Sequence, residues 1–241
     1  MSVTEPPSDI VNSLKTNKEG YFYTSEADLL FYQQEYFISI AFFFGVYYFW
    51  QFVFQRGLMP IEAFRKRWEN RKTEEDRAYF LSTWTANTHH IIIYVTVYLT
   101  FKYPQCEEPY PWKWFHDDLC FITVDTNHVK IDIFTAAYLS YDYVIQKWYV
   151  KGQDEVSKQM LWHHFFGVCS IMLGNIGGYA QCGLITLLLL VEVSTVFLTY
   201  RSMYTKDEIG EPVPQLLQLL FFIFYTIFRM MLMPFGIYLL Y

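Results

Sequence analysis

An all-α polytopic membrane protein, with about six transmembrane helices bundled around a polar cavity, is the fold class that the sequence predicts. Three observations carry that expectation. The 241-residue chain is 53% hydrophobic and 21% aromatic but only 17% charged; soluble domains carry roughly 25%, so there is too little charge here to face water all round. Long stretches, namely Tyr36–Phe54, Ile91–Phe101, Leu184–Leu198 and Leu216–Phe228, are almost free of charge. Within those stretches the few polar residues recur at helical spacing. Mean hydropathy is a modest +0.12, because the scale scores Tyr and Trp as slightly polar although both favour membrane interfaces.

Crossing the hydrocarbon core takes about 20 helical residues, and helices are required because irregular backbone finds no hydrogen-bond partners in lipid. The first span, Tyr36–Phe54, follows a polar segment, residues 1–35, that contains Pro6-Pro7 and lacks the apolar stretch of a cleavable signal peptide. Arg56–Arg77 carries seven of the eighteen Lys and Arg, interleaved with Glu62, Glu69, Glu74, Glu75 and Asp76. That mixture predicts an amphipathic helix at the headgroup level after Pro60, within residues 56–79. The second span is Phe80–Phe101, and the prolines of Tyr103–Pro111 make a loop after it. Asp132 and Asp142 interrupt the third span, Val129–Val150, and a His163-His164 pair interrupts the fourth, Met160–Ile176. Gly177-Gly178 turns the chain into the fifth, Ala180–Tyr204, and the sixth is Pro214–Leu240. Residues 36–241 thus form one transmembrane domain.

Ten Lys and Arg follow the first, third and fifth spans, against four outside the spans on the opposite side, which puts those loops in the cytoplasm and both termini on the other face. The net charge of −6 and the absence of a clustered basic face exclude a nucleic-acid partner. The first Arg is Arg56, which argues against an Arg-rich mitochondrial transit peptide. Cys169 and Cys182 lie in or beside apolar segments as buried thiols, whereas Cys106 and Cys120 share a loop and would pair if it faces an oxidising lumen.

Five spans place their polar residues on one helix face. These stripes are Thr83, Asn87, His90 and Tyr94; Thr135, Tyr138, Asp142 and Gln146; His163, Gly167, Ser170 and Gly174; Glu192, Thr195 and Thr199; and Gln218, Tyr225 and Arg229. A charge near the bilayer centre costs at least about 2.5–3.5 kcal/mol, so Asp142, Glu192 and Arg229 are expected to face a shared interior. A single Thr, Ser or Tyr in such a stripe is explained by helix packing, where an interhelical hydrogen bond is worth about 0.6 kcal/mol. An Arg229 pair with Glu192 or Asp142 would serve architecture equally well. The histidine pair and the three charges remain functional candidates, because intramembrane ionisable groups mark function by default.

No metal is expected, although four imidazoles at His89-His90 and His163-His164 supply ligand types. Adjacent helical residues point about 100° apart, and no repeated His-x-x-His-His boxes of a di-iron hydroxylase occur. Acid–base chemistry suits a histidine beside a carboxylate better. Ser194 and Thr195 are candidate nucleophiles without a Gly-x-Ser-x-Gly elbow around them.

The runs Leu161-Trp-His163-His164-Phe-Phe, Leu190-Val-Glu192-Val-Ser194-Thr195-Val-Phe197-Leu198 and Phe224–Arg229, in this order, resemble the TLC domain family, named for TRAM, Lag1 and CLN8 proteins. Arg67-Trp-Glu-Asn-Arg71 leading into Ser82–His90, and Tyr138-Leu-Ser-Tyr-Asp142, are similar to family patterns as well. The resemblance spans about Arg56–Phe235. It implies a helical bundle around a lipid-accommodating tunnel in the endoplasmic reticulum or another endomembrane, with a mitochondrial membrane as the alternative. Membrane lipids are the implied partners, together with other subunits of a membrane complex.

Ceramide synthases in this family join a fatty acyl-CoA to a sphingoid amine with intramembrane His and Asp, and His163-His164 match their histidine pair. Where they carry a further His-Asp…Asp arrangement, this chain reads Leu189-Leu190-Val191-Glu192-Val193-Ser194-Thr195. That form resembles the smaller TLC-domain proteins linked to phospholipid composition and membrane fluidity. The resemblance therefore implies a lipid-handling protein. The alternative is a ceramide-synthase-like acyltransferase, with acyl-CoA as substrate and no resident cofactor. Its catalytic candidates are His163, His164, Asp142 and Glu192, and its head-group candidates are Asn87, His90, Tyr138, Thr195 and Arg229.

Overall fold

The computed structural model describes residues 26–57, 61–102, 126–150, 155–176, 192–203, 210, 212–232 and 234. The described residues are helical throughout, in the order α1 (Glu26–Phe52), α2 (Glu62–Asn70), α3 (Glu74–Lys102), α4 (Thr126–Ile145), α5 (Glu155–Ile176), α6 (Glu192–Met203) and α7 (Pro212–Tyr225). Wider π turns extend α1 over Val53–Gly57, α4 over Gln146–Val150 and α7 over Thr226–Leu232. The 103–111 loop, Cys106, Cys120, Cys182 and the Gly177-Gly178 turn lie outside the described residues. Cys169 is a free thiol.

By length and composition, two described helices suffice to cross a membrane: Leu29–Gly57, with mean hydropathy 1.7, and Pro212–Met231, with 1.5. At about 1.5 Å per residue, α3, α4 and α5 also have the length, but their acids, histidines, threonines and serines dilute the apolar content. Those polar groups are turned largely inward, including Thr85, His89, His90, Asp132, Asp142 and His164, all buried. Apolar side chains take the outer faces instead. On α1, Phe37 and Ile38 are each 66% exposed, and no described residue of α7 is buried. Apolar faces of this extent mark a membrane or partner surface.

The core forms where α1, α3 and α4 pack together, with α5 laid on α4, α6 on α3 and α7 on α6. Aromatic rings fill the three-helix contact. Phe43, fully buried, meets the rings of Phe134 at 4.6 Å, Tyr138 at 5.4 Å and His89 at 5.8 Å between centroids. Tyr138 in turn stacks on His89 at 4.0 Å. Four threonines of α3 are satisfied locally: Thr83, Thr85, Thr88 and Thr96 each donate to the carbonyl four residues earlier. Ser140 does the same to Ala136, so Tyr36 donates to Ser140 at 2.6 Å and ties α1 to α4. A Cβ at Gly167 would lie 2.8 Å from Leu139 Cδ1, so a larger residue there would have to displace the tip of the Leu139 side chain.

The expected interfacial helix is α2, broken at Arg71 and restarted at Thr73. Thr73 and Asp76 exchange hydrogen bonds with each other's backbone N–H, at 3.0 and 3.3 Å, a reciprocal cap that begins α3. Trp68 lies parallel to Phe54 at 6.1 Å. Arg71 reaches across to donate to the Met203 carbonyl of α6 at 2.6 Å. On the exposed face of α2, Lys66 lies 2.7 Å from Glu62 and holds that carboxyl below its usual range through a hydrogen bond and charge. A carboxyl depressed in this way stabilises the fold at neutral pH and loses its contribution as pH falls through the carboxylate range.

Thr73→Ala removes the hydroxyl half of the α3 cap. It is expected to cost about 1 kcal/mol, read as a fall of about 2–4 °C in thermal unfolding of the purified protein.

Candidate functional site

A cavity of about 430 Å³ lies between α3, α4, α5, α6 and α7. Each helix contributes residues at its own period: Tyr79, Ser82, Thr83, Ala86 and His90 from α3; Tyr138, Leu139 and Asp142 from α4; Gln159, Met160, His163 and His164 from α5; Glu192, Thr195, Leu198 and Thr199 from α6; Phe221 and Tyr225 from α7. Gln146 and Arg229 enter from the π turns, local widenings of the helix that recur at functional sites.

The charges sort into two clusters. In the first, Asp142 accepts a short hydrogen bond from Ser82 on one oxygen. Its other oxygen, Oδ2, faces His164 Nδ1 at 3.3 Å, without the alignment of a formed hydrogen bond. All three residues are buried. In the second, Glu192 lies 3.6 Å from Arg229 Nη2 and 3.9 Å from His90 Nε2. Arg229 also donates to Thr195 Oγ1 at 3.2 Å, and its guanidinium stands over the Tyr225 ring at 5.5 Å. Asp142 and Glu192 give two negative charges against one from Arg229, and the three imidazoles supply groups that can take up or release protons.

Eight of the nine residues singled out in the sequence reach this cavity: His163, His164, Asp142, Glu192, His90, Tyr138, Thr195 and Arg229. Asn87 does not. It stands one residue beyond Ala86, about 100° around the helix, and its side chain donates to the Met203 sulfur at 3.1 Å. Tyr94, Thr135, Gly167, Ser170 and Gln218 also fall outside the lining; Ser170 and Gln218 are exposed, and Gly167 is spent on contact with Leu139. Glu192 faces His90 and Arg229, while Asp142 is the carboxylate at His164. Of the two candidate nucleophiles, Thr195 lines the cavity and Ser194 is fully buried.

Ser82 is the residue that sequence reasoning missed. It lies four residues before Ala86 and eight before His90, a spacing that shares their helix face. The polar stripe of this span runs through Thr83, the next residue, about 100° around the helix, and leaves Ser82 off it. Among the described residues no group of three or more His, Cys, Asp or Glu is close enough to hold a metal ion.

A family model described as TLC domain matches residues 81–241, which covers the whole cavity lining except Tyr79. No curated protein and no solved structure matches the chain.

The Glu192–Arg229 pair is testable by a double-mutant cycle in detergent-solubilised protein. Arg229→Met and Glu192→Gln are each expected to destabilise, and the double variant by less than their sum, with a coupling of about 0.5–3 kcal/mol in thermal or denaturant unfolding.

Proposed function

Because the chain belongs to the TLC domain family, we propose that it is an integral membrane protein that binds a membrane lipid in the cavity and thereby influences membrane lipid composition. The carrying observation is the cavity itself, with charged and hydroxyl groups at Asp142, Glu192, Arg229 and Thr195 and apolar walls at Leu139, Met160, Leu198 and Phe221. A lipid has the same division. The polar head would meet the charges and the chain would lie along the apolar wall. Six spans are the arrangement we infer, from α1 and α3 to α7, with α2 at the interface. The Glu-x-Ser-Thr stretch at Glu192–Thr195 favours the smaller TLC-domain proteins over the ceramide synthases. The compartment in this reading is the endoplasmic reticulum or another endomembrane, a mitochondrial membrane being the alternative, and the protein acts as an accessory subunit of a membrane complex.

A second reading, lipid acyl transfer, is favoured by one observation, the 3.3 Å approach of Asp142 to His164 Nδ1. An imidazole oriented by a carboxylate can accept the proton of an amine or hydroxyl as it attacks an acyl thioester. The new C–N or C–O bond forms as the C–S bond breaks, and the proton passes by way of the imidazole to the departing thiolate.

One set of measurements separates these readings. Wild-type protein purified into nanodiscs is expected to retain a lipid detectable by native mass spectrometry, and Arg229→Met to retain less. With acyl-CoA and sphingoid or lysolipid acceptors, turnover that falls at least about 100-fold in His164→Ala, beside a His163→Ala control, would establish the second reading. Retained lipid without turnover would leave the first. Neither retention nor turnover would overturn both.

A further inference from the structure

We propose that Ser82 is a positioning residue that acts through Asp142 to fix the proton of His164 on Nδ1, so that Nε2 is the nitrogen offered to the cavity. The proposal rests on the acid–base reading above and names a residue which that reading lacked.

A neutral imidazole carries one proton, and the hydrogen bond made by one nitrogen decides which nitrogen holds it. His164 turns Nδ1 toward Asp142 Oδ2 at 3.3 Å. An ionised carboxylate only accepts, so its approach, though short of an aligned hydrogen bond, favours the proton on Nδ1, and Nε2 is left with its lone pair in a residue that lines the cavity. The terminal torsion of an aspartate is broad, and a rotating carboxylate would lose this aim. Ser82 stops the rotation by donating to the other oxygen, Oδ1. Ser82 is 2% exposed and Asp142 5%, so bulk water is poorly placed to substitute for the hydroxyl. The three residues come from α3, α4 and α5, and their alignment is therefore a tertiary arrangement that no single helix imposes.

His90 makes the contrast. Its Nε2 is the nitrogen that faces Glu192, at 3.9 Å, and its remaining nitrogen, Nδ1, is enclosed in protein with no partner. A ligand in the cavity has no access to that nitrogen. Of the two buried imidazoles beside carboxylates, His164 is the one whose second nitrogen is available, and Ser82 holds it so.

The test is nitrogen NMR of ¹⁵N-histidine-labelled full-length protein in phosphatidylcholine nanodiscs, with the His164 signals assigned by their loss in His164→Gln. Wild type is expected to show His164 as a single Nδ1–H tautomer. Ser82→Ala should replace it with a mixture of both tautomers, and Ser82→Thr, which keeps the hydroxyl, should restore the single form. A Ser82→Ala protein that keeps the wild-type tautomer overturns the proposal, as does a wild type that is already mixed. If Ser82→Ala does not fold, Ser82→Gly likewise removes the hydroxyl and is read by the same criterion. Native mass spectrometry on the same samples keeps the two ideas apart: absence of retained lipid and turnover in wild type defeats the functional reading, whereas the tautomer result bears on Ser82 alone.

Discussion

A carboxylate held away from water must be met by donors or cations, because nothing else nearby offsets its lost hydration. Asp142 and Glu192 impose that requirement on most of the structure. Asp142 sits on α4 and draws Ser82 from α3 and His164 from α5. Glu192 sits on α6 and draws His90 from α3 and Arg229 from the turn after α7. Five helices are thus held in register by two acidic groups, and the space between the two clusters is the cavity. Removing either acid alone would leave its partners uncompensated in the interior, which is strongly destabilising.

Helix α3 carries the two halves of the design on neighbouring faces. One side sends Phe80, Trp84 and His89 into the aromatic contact with α1 and α4. The other lines the cavity with Ser82, Ala86 and His90. Tyr138 joins the halves, since it stacks on His89 and also forms part of the cavity wall. The ring packing that holds α1, α3 and α4 together consequently sets where the polar groups stand.

The helical class and most of the cavity lining were legible in the sequence, because a charge-poor chain leaves few polar residues and each one inside a span has to be explained. Helical period was enough to bring His90, Asp142, His163, His164, Glu192, Thr195 and Arg229 toward one interior. Period has a tolerance of about one residue, and that is where Asn87 and Ser82 went wrong: Asn87 is one position off the cavity face, and Ser82 is on it. Partner choice was beyond the sequence altogether. Nothing in spacing distinguishes Asp142 from Glu192 as the neighbour of His164, because the choice depends on how α4 and α6 sit against α5. The same holds for Arg71, an apparent surface cation whose hydrogen bond to Met203 crosses 132 residues.

That bond has a consequence for what counts as a unit of this chain. The recognisable family region begins at residue 81, yet Met203 within it is held by a guanidinium from residue 71, and its aromatic interior is closed by Phe43 and Phe54 of the first helix and its π turn. Heredity and cohesion therefore draw different borders. A fragment cut at the inherited border would keep nearly every cavity residue but leave the α1-facing side of its core uncovered and the Met203 carbonyl without the Arg71 donor.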